Sequence, residues 1–541
     1  MSANLQEILE NIKDGGTCLI GGGKFDIFPE HATSADRFYP GYGDKRNYAF
    51  VIKNKKNITI DGQGADLIFH GAISPFWITN CENVTLKNFT LDYAVPGYVC
   101  GKVTNVTEDY YDLDFSAGEF CADVDENGSL HFFDPNGERE AFIRYTIIDE
   151  LDGETHIPLY NRYFLRLDPF EPGALLSHMF RMTSFEKVGE NVIRVHVQLD
   201  LTHENRHKVG NYIMFDIAGR NNVNFQFDRC TNVHLENIDM YASLGLAIIT
   251  TNCKNLYFNS VNSVTRKNSG RILAVKDDVF HLVATKGEVV AENCILENMK
   301  DDALNIHSFY PTIIERIDAN SVLVEIICPQ DKIMDFYNNG QKLMLLNSDM
   351  SDTGLVYTVK EHAYVSDKQI KLTFEESLAK AVCAGCLFDD SHNAATLLVR
   401  NCKIANTLGR IVVQTPGKAV VENCSFKTVG SAITVNGRSK TYSESAPVSE
   451  LIIKNNHFCG MGARPDILTA TGCYNPENKI IHGKIVIESN EFTSCDGGYV
   501  ALKYFDTVII KNNTFKQNPS YVPRWQKAHI QTNFCNTITI D

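Results

Sequence analysis

The chain has 541 residues, of which 44% are hydrophobic and 22% charged, and its formal net charge is −15. This length exceeds what one ordinary hydrophobic core accommodates, so it predicts either several domains or one elongated solenoid. The negative charge argues against a nucleic-acid partner, and the lack of any apolar run of about 18 residues argues against a membrane span.

The first 16 residues place apolar side chains at helical spacing between acidic ones, which predicts a capping helix and not a secretion signal. The 16 cysteines are mostly single and set among apolar residues, a usage typical of reduced cysteines in a core. We therefore expect a cytoplasmic protein. The sequence leaves the oligomeric state open, a homodimer included.

A short motif recurs along the chain: a β-rich run, then Asn or Cys, one spacer residue and a large apolar residue. Examples are Asn232-Val-His-Leu235, Asn255-Leu-Tyr-Phe258, Asn401-Cys-Lys-Ile404 and Asn423-Cys-Ser-Phe426, whose neighbouring copies lie 22 or 23 residues apart. This period is too short for a βαβ unit and suits one turn of a parallel β-helix. The sequence thus predicts an all-β, right-handed parallel β-helix with hydrogen-bonded Asn side chains stacked at a bend and an apolar interior.

Two stretches break this period with alternating strands, such as 192–197 and 369–374, separated by turn residues. They predict two inserted β-barrel or β-sandwich modules. The predicted organisation is a cap with the first rungs at 1–99, a first module at 100–215, rungs with an acidic cluster at 216–309, a second module at 310–392 and C-terminal rungs at 393–541.

The acidic cluster consists of two Asp-Asp pairs, Asp277-Asp278 and Asp301-Asp302. Asp278 and Asp302 are 24 residues apart, which is one coil of the predicted solenoid. Because stacked rungs lie about 4.8 Å apart, these carboxylates should form one site. Like charges this close raise a pKa and allow an acid and a base to coexist, as glycoside hydrolysis requires.

A solvated turn or a calcium site is the alternative reading of the two acidic pairs. The apolar neighbours Val279, Phe280 and Ala303, together with His281 and His307 on the same rungs, argue against it. We therefore predict that Asp278, Asp301 and Asp302 are catalytic.

Two other motifs resemble metal sites, but their sequence context argues against metal binding. The string His203-Glu-Asn-Arg-His207 matches a zinc-protease motif, but an alternating strand leads into it and Gly210 follows closely, so no helix is expected there. Cys383 and Cys386 form a single pair inside an inserted module, which favours core packing over a metal. No metal site is predicted.

Several stretches resemble the α-1,3-galactosidases of glycoside hydrolase family 110. They are Phe28-Pro-Glu30, Asn57-Ile-Thr-Ile-Asp-Gly-Gln-Gly64, Glu82-Asn-Val-Thr-Leu-Lys-Asn88, Asp278-Val-Phe-His281, Asp301-Asp-Ala-Leu-Asn-Ile-His307, Thr415-Pro-Gly417 and Tyr442-Ser-Glu-Ser445. This resemblance, which covers most of the solenoid, implies a β-helix with two inserted barrels. It also implies removal of terminal α-1,3-linked galactose with inversion, without a metal or other cofactor.

The resemblance also implies roles for individual residues. It makes Asp278, Asp301 and Asp302 the catalytic aspartates. By analogy with other β-helix hydrolases, Asp301 is the expected acid, while Asp278 and Asp302 are the expected water-activating pair. An inverting mechanism needs acid and base about 6.5 to 9.5 Å apart, so we expect a backbone bend at Asp301 and diverging side chains.

The expected substrate is an oligosaccharide or glycan with terminal galactose. The residues expected to bind it are His281, Asn305, His307, Arg410, Gln414 and Glu444. A polygalacturonase-like enzyme remains an alternative, although only Arg271 and Arg410 could bind a uronate carboxylate. A noncatalytic carbohydrate-binding solenoid is a second alternative, for which aromatic surface stripes and a secretion signal would be typical.

Overall fold

Most of the chain winds into a parallel β-helix. The computed structural model describes residues 2–36, 45–133, 140–141, 149–154, 156, 180–199, 207–216, 222–326, 337–366, 368–390, 394–407, 409–439, 443–460, 467–470, 475, 478–494, 498–518 and 529–541. One helix, Ser2–Glu10, covers the first rungs through the buried Leu5 and Leu9, and a 3-10 turn spans Pro29–His31. None of the helices in these ranges is long and apolar enough to cross a membrane.

The first long sheet contains 19 described strands in parallel register. They are Thr17–Leu19, Gly23–Ile27, Lys56–Phe69, Glu82–Tyr93, Thr231–Met240, Lys254–Ser263, Lys286–Glu292, Ile295–Glu297, Ala395–Arg400, Lys403–Thr407, Lys418–Glu422, Ser425–Thr428, Glu450–Lys454, His457–Gly460, His482–Glu488, Glu491–Ser494, Phe505–Lys511, Thr514–Gln517 and Thr537–Ile540.

The second long sheet contains 14 described strands and carries the residues predicted to be catalytic. They are Thr33–Asp36, Lys45–Lys53, Ser74–Thr79, Val223–Asp228, Leu246–Thr251, Phe280–Val283 (β1), Leu304–Phe309 (β2), Ile411–Val413 (β3), Ile433–Thr434, Gly437–Ser439 (β4), Glu444–Ala446 (β5), Leu468–Ala470, Val500–Lys503 and Ile530–Asn533. The all-β parallel β-helix predicted from the repeat is confirmed.

The recurring Asn marks a bend at the second residue of several strands of the first long sheet. Asn83, Asn232 and Asn255 all adopt a positive φ of 55 to 58°, a conformation that Asn tolerates better than most residues. Their side chains form the predicted ladder: the Asn232 amide donates to Asn83 at 2.7 Å, and the Asn255 amide donates to Asn232 at 2.8 Å. Large apolar residues stack inside, as Phe426 does on Phe458 with ring centroids 4.8 Å apart.

Two segments leave the solenoid and form their own sheets. The first has six described strands in one sheet, Tyr98–Val106, Tyr110–Asp114, Asp149–Leu151, Phe180–Gly189, Val192–Leu199 and Tyr212–Asp216, and three in another, Cys121–Val124, Leu130–Phe133 and Glu140–Ala141. The second is a closed barrel of Thr312–Arg316, Ser321–Glu325, Lys342–Leu346, Asp352–Tyr364, Gln369–Phe374 and Leu387–Asp389.

Both modules pack beside the rungs that carry the aspartates. In the first module, the Tyr98 hydroxyl accepts hydrogen bonds from the backbone N–H groups of Ile272 at 3.0 Å and Leu273 at 3.1 Å. The core of the second barrel continues onto the solenoid through Ile249 and Val283. The two modules therefore flank the segment that contains Asp278.

Candidate active site

The site lies where three stacked rungs enter the second long sheet. β1 pairs in parallel with β2, and β2 pairs with β3, so that Phe280, Leu304 and Ile411 stack inside the core. The residues just before these strands stack as well. The Val279 N–H donates to the Asp302 carbonyl, and the Ala303 N–H donates to the Arg410 carbonyl, both at 2.9 Å.

Three carboxylates converge at this corner, which we call the aspartate corner (Asp278, Asp301, Asp302 and Arg410). Each aspartate contributes one oxygen, and these three oxygens lie within 4.8 Å of one another. Asp278 and Asp302 are buried, whereas Asp301 is half-buried. The chain bends at Asp301 as expected, and the Asp302 N–H donates to Asp278 Oδ1 at 3.2 Å. These nearest oxygens are closer together than the divergence expected for an inverting pair.

Asp302 occupies an environment that favours its protonated form. Burial raises the pKa of Asp302 well above its ordinary value, and the negative charges of Asp301, Asp278 and Glu444 act in the same direction. Arg410 opposes this effect, since its Nε lies 3.1 Å from Asp302 Oδ1. A carboxylate with a raised pKa is a stronger base, and it carries a proton over a wider pH range.

Asp278 ends a chain of hydrogen-bonding groups whose direction can be read from its far end. His307 Nδ1 lies 3.1 Å from the Ser308 carbonyl oxygen, which can only accept, so this nitrogen donates. Burial lowers the pKa of His307 to about 4, so its ring is neutral at pH 7 and its Nε2 accepts. The facing Nε2 of His281, at 3.1 Å, must then donate.

This direction leaves one proton between His281 and Asp278. The second nitrogen of His281, Nδ1, lies 2.5 Å from Asp278 Oδ2, the distance of a charge-assisted hydrogen bond. Because an aspartic acid is ordinarily a much stronger acid than an imidazolium, the arrangement corresponds to an ionised Asp278 held by a protonated His281. The chain thus keeps a buried carboxylate charged and fixes its orientation.

Polar side chains from β2, β3 and β5 extend the site next to this chain of groups. The Gln414 amide, just after β3, donates to Glu444 Oε2 at 3.0 Å, and Glu444 Oε1 lies 3.8 Å from His307 Nε2. Asn305 Oδ1 and Gln414 Oε1 are both buried, and no donor among the described residues reaches either oxygen. Buried acceptors of this kind are normally satisfied, so they are suited to hydroxyl groups of a ligand.

Comparison with known proteins supports both the fold and the family. Residues 384–541 match the family model described as "Right handed beta helix region". An α-1,3-galactosidase B from Bacteroides thetaiotaomicron is 24% identical over 97% of this chain and 85% of its own length. An α-1,3-galactosidase A from Shewanella woodyi is 27% identical over 89% of this chain and 77% of its own.

A further α-1,3-galactosidase B, from Phocaeicola vulgatus, is 26% identical over 96% of this chain and 88% of its own length. The chain is thus similar over most of its length to proteins named α-1,3-galactosidase. The similarity extends over nearly the whole solenoid and both inserted modules, which confirms the resemblance seen in the short sequence stretches.

All nine predicted site residues lie on or beside β1, β2, β3 and β5. They are Asp278, His281, Asp301, Asp302, Asn305, His307, Arg410, Gln414 and Glu444. The alternative of a solvated turn is wrong for Asp278 and Asp302, since both side chains are buried. The spacing of the three carboxylates alone would also suit a cation, but the Arg410 guanidinium already supplies positive charge beside Asp302.

The remaining sequence motifs are accounted for elsewhere in the molecule. Residues 203–206 of the zinc-protease string lie outside the described residues, and His207 Nδ1 pairs with Glu150 at 2.8 Å within the first module. Cys386 is buried as expected, but the expectation of core packing is wrong for Cys383, which is exposed at the end of a barrel loop. Arg271 binds Asp92 at 2.6 Å, so its charge is used structurally.

Sequence analysis gave no role to three residues that lie next to Glu444 or contact its neighbours. They are Asp389, Arg438 and Ser445, which connect the second barrel to the strand that carries Glu444. No periodic signal marks them, because the barrel interrupts the repeat and its contacts with β4 and β5 are distant in sequence.

Proposed function

We propose that the protein is a glycoside hydrolase that removes terminal α-1,3-linked galactose from an oligosaccharide or glycan. The observation that carries this proposal is the convergence of Asp278, Asp301 and Asp302 within 4.8 Å at one corner of the solenoid. Hydrolysis of a glycosidic bond needs a carboxylic acid and a carboxylate acting together. The names of the relatives support the choice of linkage and sugar.

In the proposed mechanism, Asp278 and Asp302 hold the attacking water between them. Oxygens no more than 4.8 Å apart can both accept hydrogen bonds from one water molecule. His281 keeps Asp278 ionised, so Asp278 takes the proton of this water. Asp302, whose raised pKa favours its protonated form, shares this role only where it is ionised. Asp301 is the most exposed of the three, so it is placed to protonate the oxygen of the leaving sugar.

Substrate recognition in this proposal uses the unsatisfied groups above the aspartates. Asn305 Oδ1 and Gln414 Oε1 would accept hydrogen bonds from galactose hydroxyls, and Glu444 would contribute a third acceptor. A donor would come from Arg410, whereas both ring nitrogens of His281 already face His307 and Asp278. A site that hydrogen-bonds sugar hydroxyls discriminates strongly, because an incorrect sugar leaves its buried groups without partners.

Kinetics with two leaving groups would test the proposed roles. We expect Asp301→Asn to hydrolyse an α-1,3-galactosyl disaccharide far more slowly than a dinitrophenyl α-galactoside, because the aryl leaving group needs no protonation. Asp278→Asn should lose activity on both substrates. If Asp302→Asn and not Asp301→Asn spares the aryl substrate, the acid is Asp302. Activity that is lost on adding a chelator and restored by a metal would contradict the metal-independent mechanism.

We propose inversion at the anomeric carbon, since the water position between Asp278 and Asp302 allows direct displacement. Retention is the second candidate, because the close approach of the three carboxylates resembles the separation of about 5 to 5.5 Å in retaining enzymes. Proton NMR of the first-formed sugar distinguishes them. β-Galactose appearing first would support inversion, and α-galactose appearing first would require a covalent intermediate.

A further inference from the structure

We propose that Asp389, on the last strand of the second barrel, is a positioning residue that holds Glu444 in the substrate site. This inference rests on the proposed function and extends it to a residue outside the solenoid. It assigns the second barrel a part in binding the substrate.

Glu444 belongs to a hairpin that is attached to the end of a site strand. β4 and β5 pair in antiparallel register, with Arg438 opposite Ser445. β5 also pairs with the end of β2, where Ser445 lies opposite Ser308. The hairpin therefore places Glu444 beside His307 and Gln414, but it adds only two residue pairs to β2.

Asp389 fastens both strands of this hairpin to the barrel. Its carboxylate is fully buried, and both of its oxygens lie 2.7 Å from the hydroxyl of Ser445, which donates to it. The Nε of Arg438, also buried, lies 3.3 Å away. Arg438 Nη1 reaches the carbonyl of Met350 in another barrel loop at 3.5 Å. One carboxylate thus joins a strand of the barrel to β4 and β5.

The alternation of side chains along β5 connects this contact to the site. Successive residues of a strand point to opposite sides, so a contact that holds Ser445 on the barrel side presents Glu444 on the other side. If Asp389 can no longer accept these hydrogen bonds as a charged group, β5 loses its attachment and Glu444 loses its fixed position. A displaced binding group weakens substrate binding more than it slows the chemical step.

Steady-state kinetics of the full-length protein would test the proposal. We expect Asp389→Asn to raise KM for an α-1,3-galactosyl disaccharide about tenfold, with kcat changed less than about twofold. Glu150→Gln in the first module is the matched control, since Glu150 is also a buried carboxylate bound to a basic side chain, His207. It should leave both constants unchanged.

A double variant separates positioning from a general loss of stability. Because Asp389 is proposed to act through Glu444, Asp389→Asn combined with Glu444→Gln should have the same KM as Glu444→Gln alone. Additive losses in the double variant would overturn the proposal. If Asp389→Asn does not fold, Ser445→Ala removes only the hydroxyl and should show the same pattern.

Hydrogen exchange provides a readout that does not depend on activity. Asp389→Asn should speed amide exchange in residues 437–439 and 443–446, and leave the rungs at 482–494 and 498–511 unchanged. Unchanged exchange in the hairpin would overturn the positioning role. If the wild-type chain cleaves no galactoside and Asp389→Asn still speeds exchange in the hairpin, the proposed function fails while the positioning role stands.

Discussion

Two corners of the same solenoid use stacked polar side chains in opposite ways. At one corner, which we call the asparagine corner (Asn57, Asn83, Asn232 and Asn255), each amide after the first donates to the equivalent residue of the neighbouring rung, as Asn232 does to Asn83 at 2.7 Å. At the aspartate corner, the stacked groups are like charges that repel one another, and the buried acceptors Asn305 Oδ1 and Gln414 Oε1 beside it have no donor among the described residues. The polar side chains of the first corner satisfy one another's hydrogen bonds, whereas those at the second are suited to binding a ligand. Residues that break local rules in this way are expected at functional sites.

The largest predicted effect is on catalysis at the aspartate corner. We expect Asp278→Asn and Asp302→Asn each to lower kcat/KM by about 10² to 10⁴, because each removes an acid or base contribution. The midpoint of thermal unfolding should not fall in Asp302→Asn, because removing this charge relieves repulsion, whereas Asp278→Asn also breaks the buried pair with His281 and should lower it. The control is Asp239→Asn on the first long sheet, whose carboxylate accepts from Asn262 at 2.7 Å. Near-normal turnover in both site variants would remove this corner from the mechanism.

The converse effect is predicted at a second bend of the first long sheet, between its strands Glu450–Lys454 and His457–Gly460. Asn456 is buried, accepts from the Cys424 N–H at 2.8 Å and donates to the Val421 carbonyl at 2.9 Å. Asn456→Ala would leave both backbone groups unsatisfied, so we expect a loss of about 2 to 5 kcal/mol of unfolding free energy. Denaturant unfolding measures this loss, while kcat/KM of the folded fraction should be unchanged. A drop in kcat/KM without loss of stability would contradict the contrast between the corners.

The pH dependence of stability should reveal the buried His307. Its pKa is about 4 in the folded protein, below the ordinary value of about 6.5, because burial disfavours the charged ring. The unfolded chain therefore binds more protons between these values, and stability falls as pH drops from about 6.5 to 4. Over this pH window, the free energy of unfolding of His307→Gln should fall by up to about 3 kcal/mol less than that of the wild type. Parallel curves for the two proteins would show that His307 is not buried in its neutral form.

The smallest effect is predicted for an exposed step of the ladder. Asn83 donates to Asn57 at 2.6 Å near the surface, where water can replace the lost partner. We expect Asn83→Ala to cost about 0.5 to 1.5 kcal/mol, part of it because Ala tolerates the positive φ at this position less well than Asn. Thermal unfolding of Asn83→Ala and Asn456→Ala gives the ratio of the stability lost at an exposed position to that lost at a buried one. Equal losses in the two variants would contradict this burial dependence.

The sequence predicted what is periodic in this molecule. The Asn spacing predicted the bend and the ladder, and the 24-residue step from Asp278 to Asp302 predicted adjacent rungs. It also predicted that the carboxylates form one site, but it could not predict how closely their oxygens approach, because this depends on side-chain directions at the bend. The contact of Asp389 with Ser445 was also out of reach, since it joins two segments with no shared repeat.

The asparagine ladder shows how the solenoid accommodates long insertions. Asn255 and Asn232 are 23 residues apart, whereas Asn232 and Asn83 are 149 apart and Asn401 and Asn293 are 108 apart, yet each pair is hydrogen-bonded across one rung. The chain therefore leaves and re-enters the solenoid at neighbouring rungs, whatever the length of the inserted module. In evolutionary terms, such a scaffold can exchange the modules beside its aspartates and acquire a new glycan preference while its catalytic rungs stay unchanged.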